Sequence, residues 1–102
     1  MRTRVELIDG FKLDPASRNL CVFGKKVRLR NKEFVLMEYF FLNMGIVLSR
    51  TQILEDVWDR NICWSTNTVD VHVSSLRRKI RRFSRMLKIK TVHCVGYVFE
   101  LR

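Results

Sequence analysis

Between Arg77 and Arg85 the chain places five arginines and one lysine, and the ten residues ahead of them carry small polar groups at Asn67, Ser74 and Ser75 with a valine, Val71, among them. On a helix turning ~100° per residue, Asn67, Val71, Ser74, Arg78 and Arg85 gather on one side, with Ser75, Arg81 and Arg82 at its edges. Long cations suit phosphate oxygens, whereas amides, hydroxyls and a valine are short enough to meet base edges in a major groove. The chemistry on offer is polyanion binding rather than bond making. The same pattern also describes an amphipathic surface helix whose cations are simply solvated.

Composition leans towards the first reading. Twenty Lys and Arg against ten Asp and Glu give a formal net charge of +10 over 102 residues, the length of one domain. Nucleic acid fits this better than a membrane, because no apolar run approaches the ~20 residues that span a bilayer and no signal-peptide pattern opens the chain. Cys21, Cys63 and Cys94 are widely spaced without a C-x-x-C pair, which argues against a disulfide framework and a structural zinc site and suits reduced, cytoplasmic thiols. Cys94 beside His93 leaves a metal or redox role open. No paired carboxylates, triad or phosphate loop is present, so neither an enzyme nor a cofactor is expected.

The elements that must position the basic segment follow from hydrophobic period. Short alternating runs at Val5 to Ile8, Phe11 to Leu13, Asn19 to Phe23 and Lys26 to Leu29, broken at Asp9-Gly10, Asp14-Pro15-Ala16-Ser17 and Gly24-Lys25, predict an antiparallel meander. The period then changes. Phe34, Met37, Phe41 and Met44 share a stripe widened by Val35, Leu36 and Phe40, which predicts a helix from Asn31 to Met44 closed by Gly45. Ile46 to Leu48 makes a connecting strand, and Ser49 with Gln52 forms a capping box for a second helix whose inner face is Ile53, Leu54, Val57 and Trp58. Asp59 to Ser65 is a loop in which Ile62, Cys63 and Trp64 either fold onto the core or meet another protein.

Val69, Val73, Leu76, Ile80 and Phe83 recur at steps of four and three, so the basic segment is a third helix, about 66–84, with Ser65 or Thr66 as N-cap. Lys88 to Val92 and Tyr97 to Leu101 close the chain as a hairpin, with Gly96 available for a positive φ. The expected fold is α+β: a winged helix-turn-helix with the meander in 1–30, a three-helix core in 31–85 and the wing hairpin in 88–102.

With those residues placed, the chain resembles the DNA-binding effector domain of OmpR/PhoB-type response regulators. The resemblance rests on Leu29 with Glu33-Phe34, on Val47-Leu48-Ser49-Arg50 with Gln52-Ile53-Leu54 and Val57-Trp58, on Thr68 to Val73 with Leu76-Arg77, and on Thr91-Val92 with Val95-Gly96-Tyr97. It covers essentially the whole chain. It implies a cytoplasmic transcription factor that binds direct-repeat half-sites on double-stranded DNA as a homodimer, behind a receiver domain answering to a sensor kinase.

The family's phosphate contacts fall here on Arg50, Trp58, Thr68, Arg77 and Tyr97, to which the helix-end cation Arg81 is added; Trp58 and Tyr97 would serve equally as core. Base readout falls to Asn67, Val71, Ser74, Ser75 and Arg78, and the minor groove to Thr91 and His93. Asp59, Arg60, Asn61, Ile62 and Trp64 correspond to the segment that touches RNA polymerase. Asp70 is expected to orient an arginine and His72 to be structural.

Three departures bear on specificity. Asn67, Ser74 and Ser75 stand where many members have arginine, His93 replaces a common wing arginine, and Arg30 replaces a threonine cap. With fewer cations at base level, Asn67 on adenine, Val71 on a thymine methyl and Ser74 or Ser75 on either base would favour A·T-rich half-sites. Two other readings remain open: an N-terminal winged helix of a one-component, membrane-anchored activator, and a general basic RNA- or protein-binding module.

Overall fold

The computed structural model describes residues 5–8, 10–59 and 65–101. Strands β1 (Val5–Ile8), β2 (Phe11–Asp14), β3 (Asn19–Val22) and β4 (Lys25–Arg28) form an antiparallel sheet in sequence order, the expected meander. Alternation sets its register. Phe11, Leu13, Leu20, Val22 and Val27 are buried on one face, while the paired Lys12, Cys21 and Lys26 stand on the other. Asp14 closes the β2–β3 turn by accepting from the Ala16 N–H at 3.1 Å and the Ser17 hydroxyl at 2.9 Å. Of the expected Asp9-Gly10 turn, Asp9 lies outside the described residues and Gly10 takes a φ of 85°.

Helix α1 (Asn31–Leu42) buries Phe34, Leu36, Met37, Phe40 and Phe41. It stops two residues short of Met44, because the Asn43 side chain donates to the Tyr39 carbonyl at 2.8 Å and the Asn43 N–H turns back to Phe40 at 3.2 Å. The following strand is shorter than expected as well: β5 is only Leu48–Ser49, with Ile46 and Val47 exposed. Helix α2 (Arg50–Val57) starts at Ser49, whose Oγ accepts from the Gln52 N–H at 3.0 Å, half of the expected capping box. Lys32 Nζ caps its far end at the Val57 carbonyl, 3.1 Å away, and Tyr39 donates to the Asp56 carboxylate at 2.5 Å. These contacts fasten α2 to α1.

Helix α3 (Asn67–Arg81) buries Val69, Val73, Leu76 and Ile80. It is shorter than the expected 66–84, and Phe83, past its end, remains 39% exposed instead of extending the core stripe. Strands β6 (Leu87–Val92) and β7 (Gly96–Leu101) form the hairpin, and β5 pairs with β7 to give a second sheet in the order β5-β7-β6. Phe99 of β7 meets Phe41 edge-on at 4.8 Å and Phe40 at 6.0 Å, so the hairpin roots in the same core as α1. The turn corrects one expectation. The positive φ belongs to Cys94, at 62°, while Gly96 is required for closeness: a Cβ there would lie 2.0 Å from the Leu48 carbonyl oxygen where β5 meets β7. Among the described residues, three helices and two antiparallel sheets, the second containing this hairpin, make an α+β winged helix-turn-helix.

Among the described residues, one charged group lies inside. Glu33 is 1% exposed, at the first turn of α1 and on the stripe of Met37 and Phe40. Its Oε1 accepts from the Arg30 N–H at 2.8 Å and from Lys79 Nζ at 2.5 Å, and its Oε2 accepts from the Ser75 hydroxyl at 2.5 Å. Burial pushes the carboxyl up, but Lys79, Ser75 and the Arg30 N–H outweigh it and hold Glu33 below its ordinary value. The group is therefore ionised, paired and shared between α1 and α3.

Removing the counter-ion leaves that carboxylate buried with two hydrogen-bond donors but no opposing charge, so Lys79→Met should cost about 3 kcal/mol in urea unfolding. Because the folded carboxyl sits below its unfolded value, its contribution is present above pH ~4.3 and is lost as pH falls through the folded value. Stability should decline on acidification below that point, less steeply in Lys79→Met; a variant with unaltered stability and acid sensitivity would contradict the pairing.

Candidate nucleic-acid interface

The four sides of α3 do different things, and each follows from residue spacing at ~100° per step. The back is the buried row of Val69, Val73, Leu76 and Ile80. Asn67, Val71, Ser74 and Arg78 line the front, all exposed, with Val71 at 65%. An exposed valine in a polar row has no core to serve, which suits contact with a partner. The two flanks are occupied by polar contacts that hold the helix to its neighbours.

On the α1 flank stand Ser75 and Lys79, both spent on Glu33. Ser75 was expected at base level; its hydroxyl is committed inward, so the front keeps only Asn67, Val71, Ser74 and Arg78. On the wing flank stand Asp70 and Arg77. The Asp70 carboxylate accepts from the Tyr97 hydroxyl at 2.5 Å and pairs with Arg50 Nε at 3.0 Å, the arginine-orienting part expected of it. Arg77 donates from Nε to the Ile89 carbonyl at 2.8 Å and from Nη2 to Thr91 Oγ1 at 2.7 Å, with its guanidinium 5.4 Å from the centre of the Tyr97 ring. Instead of reaching freely outward, Arg77 pins β6 to α3, and Thr91 accepts from it rather than standing unengaged on the wing.

The remaining expected phosphate contacts divide by burial. Arg50 and Arg81 are exposed, Arg50 at the start of α2 and Arg81 at the end of α3. Thr68 is half-buried in the first turn of α3, where the Ser65 hydroxyl accepts from the Asn67 N–H at 3.2 Å. Trp58, 4% exposed, and Tyr97, 6% exposed, take the core alternative left open for them. Burial and the Asp70 carboxylate push the Tyr97 phenol above its ordinary value despite Arg50, so it stays protonated and a donor. His72 Nδ1 lies 2.8 Å from the Thr68 carbonyl, which can only accept, so Nδ1 carries the proton; its ring meets Trp58 at 5.0 Å. His72 is structural, as expected.

At the wing tip His93, Cys94 and Val95 are all exposed. Of the loop matched to polymerase contact, Arg60, Asn61, Ile62 and Trp64 lie outside the described residues, and Asp59 is exposed at its start. Among the described residues no three His, Cys, Asp or Glu side chains come together as a metal site, and no helix is long and apolar enough to cross a membrane. Reading the sequence missed the Glu33 cluster, although a signal existed: a carboxylate on an apolar stripe needs a buried donor, and Lys79 stands off the arginine face.

Comparison with known proteins gives the same geometry a context. Residues 24–99 match the family described as transcriptional regulatory protein, C terminal. The chain is 40% identical over 89 residues to transcriptional regulatory protein CusR of Escherichia coli K12, covering 87% of this chain and 39% of that protein. It thus spans about two fifths of that relative's length. The solved DNA-binding domain of Bacillus subtilis CssR is 30% identical with a TM-score of 0.74, covering 87% of this chain and 98% of that one. Response regulator DrrB, a Thermotoga maritima OmpR/PhoB homolog, is 27% identical with a TM-score of 0.74 over 97% of this chain and 45% of its own.

Arg77→Ala should release the wing from α3, removing two hydrogen bonds and the contact on Tyr97. The expected outcome is a loss of about 2 kcal/mol of hydrogen-exchange protection across the β6 amides. Arg77→Lys should restore little of it, since a single ammonium cannot bridge Ile89 and Thr91 as the guanidinium fork does. Unchanged exchange in Arg77→Ala would show that the hairpin is held by Phe99 and the sheet alone.

Proposed function

This chain belongs to the family of OmpR/PhoB-type response regulators through its transcriptional-regulator C-terminal domain, and we propose that it binds duplex DNA sequence-specifically to control transcription. The observation that carries the reading is the exposed row of Asn67, Val71, Ser74 and Arg78 on a helix whose back is core and whose flanks are both tied down. A helix so fixed presents short side chains to the major groove without having to order itself on binding. The likeness to the CssR DNA-binding domain, at 30% identity, supports the same conclusion.

In this mechanism Arg50, Arg81 and the N–H groups at the start of α3, beside Thr68, contact phosphates and set the register. Asn67 pairs with adenine, Val71 packs on a thymine methyl, and Ser74 and Arg78 read the flanking bases. Arg77 and Thr91 hold the hairpin so that His93 reaches the adjacent minor groove. Two copies occupy direct-repeat half-sites as a homodimer on DNA. The protein acts by binding alone, in the cytoplasm. In the full-length form a receiver domain precedes this one and answers to a sensor kinase, and the segment from Asp59 to Trp64 meets RNA polymerase. A relative of which the matched residues make up only 39% leaves room for that receiver.

Binding-site selection on random duplex DNA, at two salt concentrations, tests this. A+T-rich half-sites about one helical turn apart are expected, with affinity falling steeply with salt. Asn67→Ala and Ser74→Ala should alter the selected bases, worth about 1–3 kcal/mol of discrimination for a good bidentate pair, whereas Arg81→Ala should weaken all duplexes alike. Tight binding without a motif would refute sequence-specific reading and leave a general nucleic-acid module. G·C-rich sites would refute the roles given to Asn67 and Val71.

A further inference from the structure

Past its last reading side chain, α3 borders a groove of about 620 Å³ that lies between its C-terminal end and strand β6. Five of the nine residues lining this groove are cations, and none is acidic. Arg77 is already spent on Ile89 and Thr91, which leaves Arg81 and Arg85 on one side and Lys88 and Lys90 on the other, all exposed. Lys90 lies 3.6 Å from Glu100, but both side chains stand about half in solvent, so the pair yields to a stronger anion at little cost. Ile80, Leu87 and Ile89 are only 2%, 4% and 6% exposed and offer a ligand no apolar surface. The groove thus presents positive charge over a closed core, which suits a sugar-phosphate backbone.

Spacing along α3 fixes where on a duplex this charge falls. Asn67 to Ser74 spans ~10 Å at 1.5 Å per residue, nearly the ~12 Å width of a major groove. Arg81, a further ~10 Å along the axis, therefore stands past the rim of the groove, where a backbone strand runs. Lys88 and Lys90, alternate residues of β6 and ~6.8 Å apart, continue the row of cations from there. On the reading that α3 enters the major groove, we propose that Arg81, Arg85, Lys88 and Lys90 hold the sugar-phosphate backbone of the duplex beyond the bases that α3 reads. Such contact carries no sequence information. It supplies affinity that the reading row lacks, since Arg78 is the one cation among Asn67, Val71, Ser74 and Arg78. The footprint on DNA is then longer than the set of bases selected.

Anisotropy over a salt series, on two duplexes carrying one selected half-site, tests this. One duplex is cut at the edges of the half-site, and the other is extended on both sides by about 10 base pairs, one helical turn. The wild type should bind the extended duplex at least about fivefold more tightly. Lys88→Gln with Lys90→Gln should reduce that gain to less than about twofold and flatten the slope of log affinity against log salt on the extended duplex by about two, one for each lysine. Its selected bases should be those of the wild type. Lys12→Gln with Lys26→Gln removes the same charge from the outer face of the meander and should keep the full gain. A wild type without the gain, an equal loss on cut and extended duplexes, or an equal loss in both double variants would overturn the flanking contact. A selection that returns no motif would instead refute sequence-specific reading, and the flanking contact with it.

Discussion

A carboxylate with 1% of its surface exposed is the constraint on which the arrangement of helices depends. Glu33 cannot be left in the core without donors, and three are supplied: a backbone N–H from its own helix start, and a hydroxyl and an ammonium from α3. Apolar packing alone is tolerant of small rotations, since Val69, Val73, Leu76 and Ile80 would remain in the core through a modest turn of α3. Hydrogen bonds to one carboxylate are not. The cluster therefore fixes the angle at which α3 faces outward.

The opposite flank completes the clamp by different chemistry. Asp70 gathers Arg50 from α2 and Tyr97 from β7, and Arg77 reaches β6 at two points. Tyr97 and Arg77 are donors of a kind that could serve DNA directly, and both are employed in holding elements together. This explains why the front of α3 can be so sparing: Asn67, Val71, Ser74 and Arg78 have only to read, because others position them. The net charge of +10 is not concentrated on that face, part of it standing between the end of α3 and β6 at Arg81, Arg85, Lys88 and Lys90.

Much of the fold was legible because it rests on period. The steps of four and three from Val69 to Ile80, the alternation in β2, β3 and β4, and the Ser49 cap are local, and locality is what a chain displays directly. What escaped is contact over distance. Glu33 meets Ser75 and Lys79 more than forty positions away, so Ser75 looked like part of the front and turned out to belong to the flank. The contacts of Arg77 with Ile89 and Thr91 and of Tyr97 with Asp70 escaped for the same reason, each joining a helix to a strand more than ten positions away. Gly96 was singled out rightly but for a conformational reason, when its cause is the Leu48 carbonyl pressed against it.

The central claim is that the Glu33 cluster sets the reading angle of α3, beyond holding the fold together. The most direct measurement is the ratio of affinities for a selected site and for random duplex, in the wild type and in Glu33→Leu with Lys79→Met, a pair that replaces the buried carboxylate and its half-buried counter-ion by apolar groups and so spares stability. The account predicts a ratio at least tenfold lower in the double variant, with random-duplex binding and its salt dependence nearly unchanged and the protein still folded. A folded variant that keeps the wild-type ratio would contradict it, and would assign the orientation of α3 to its apolar back alone.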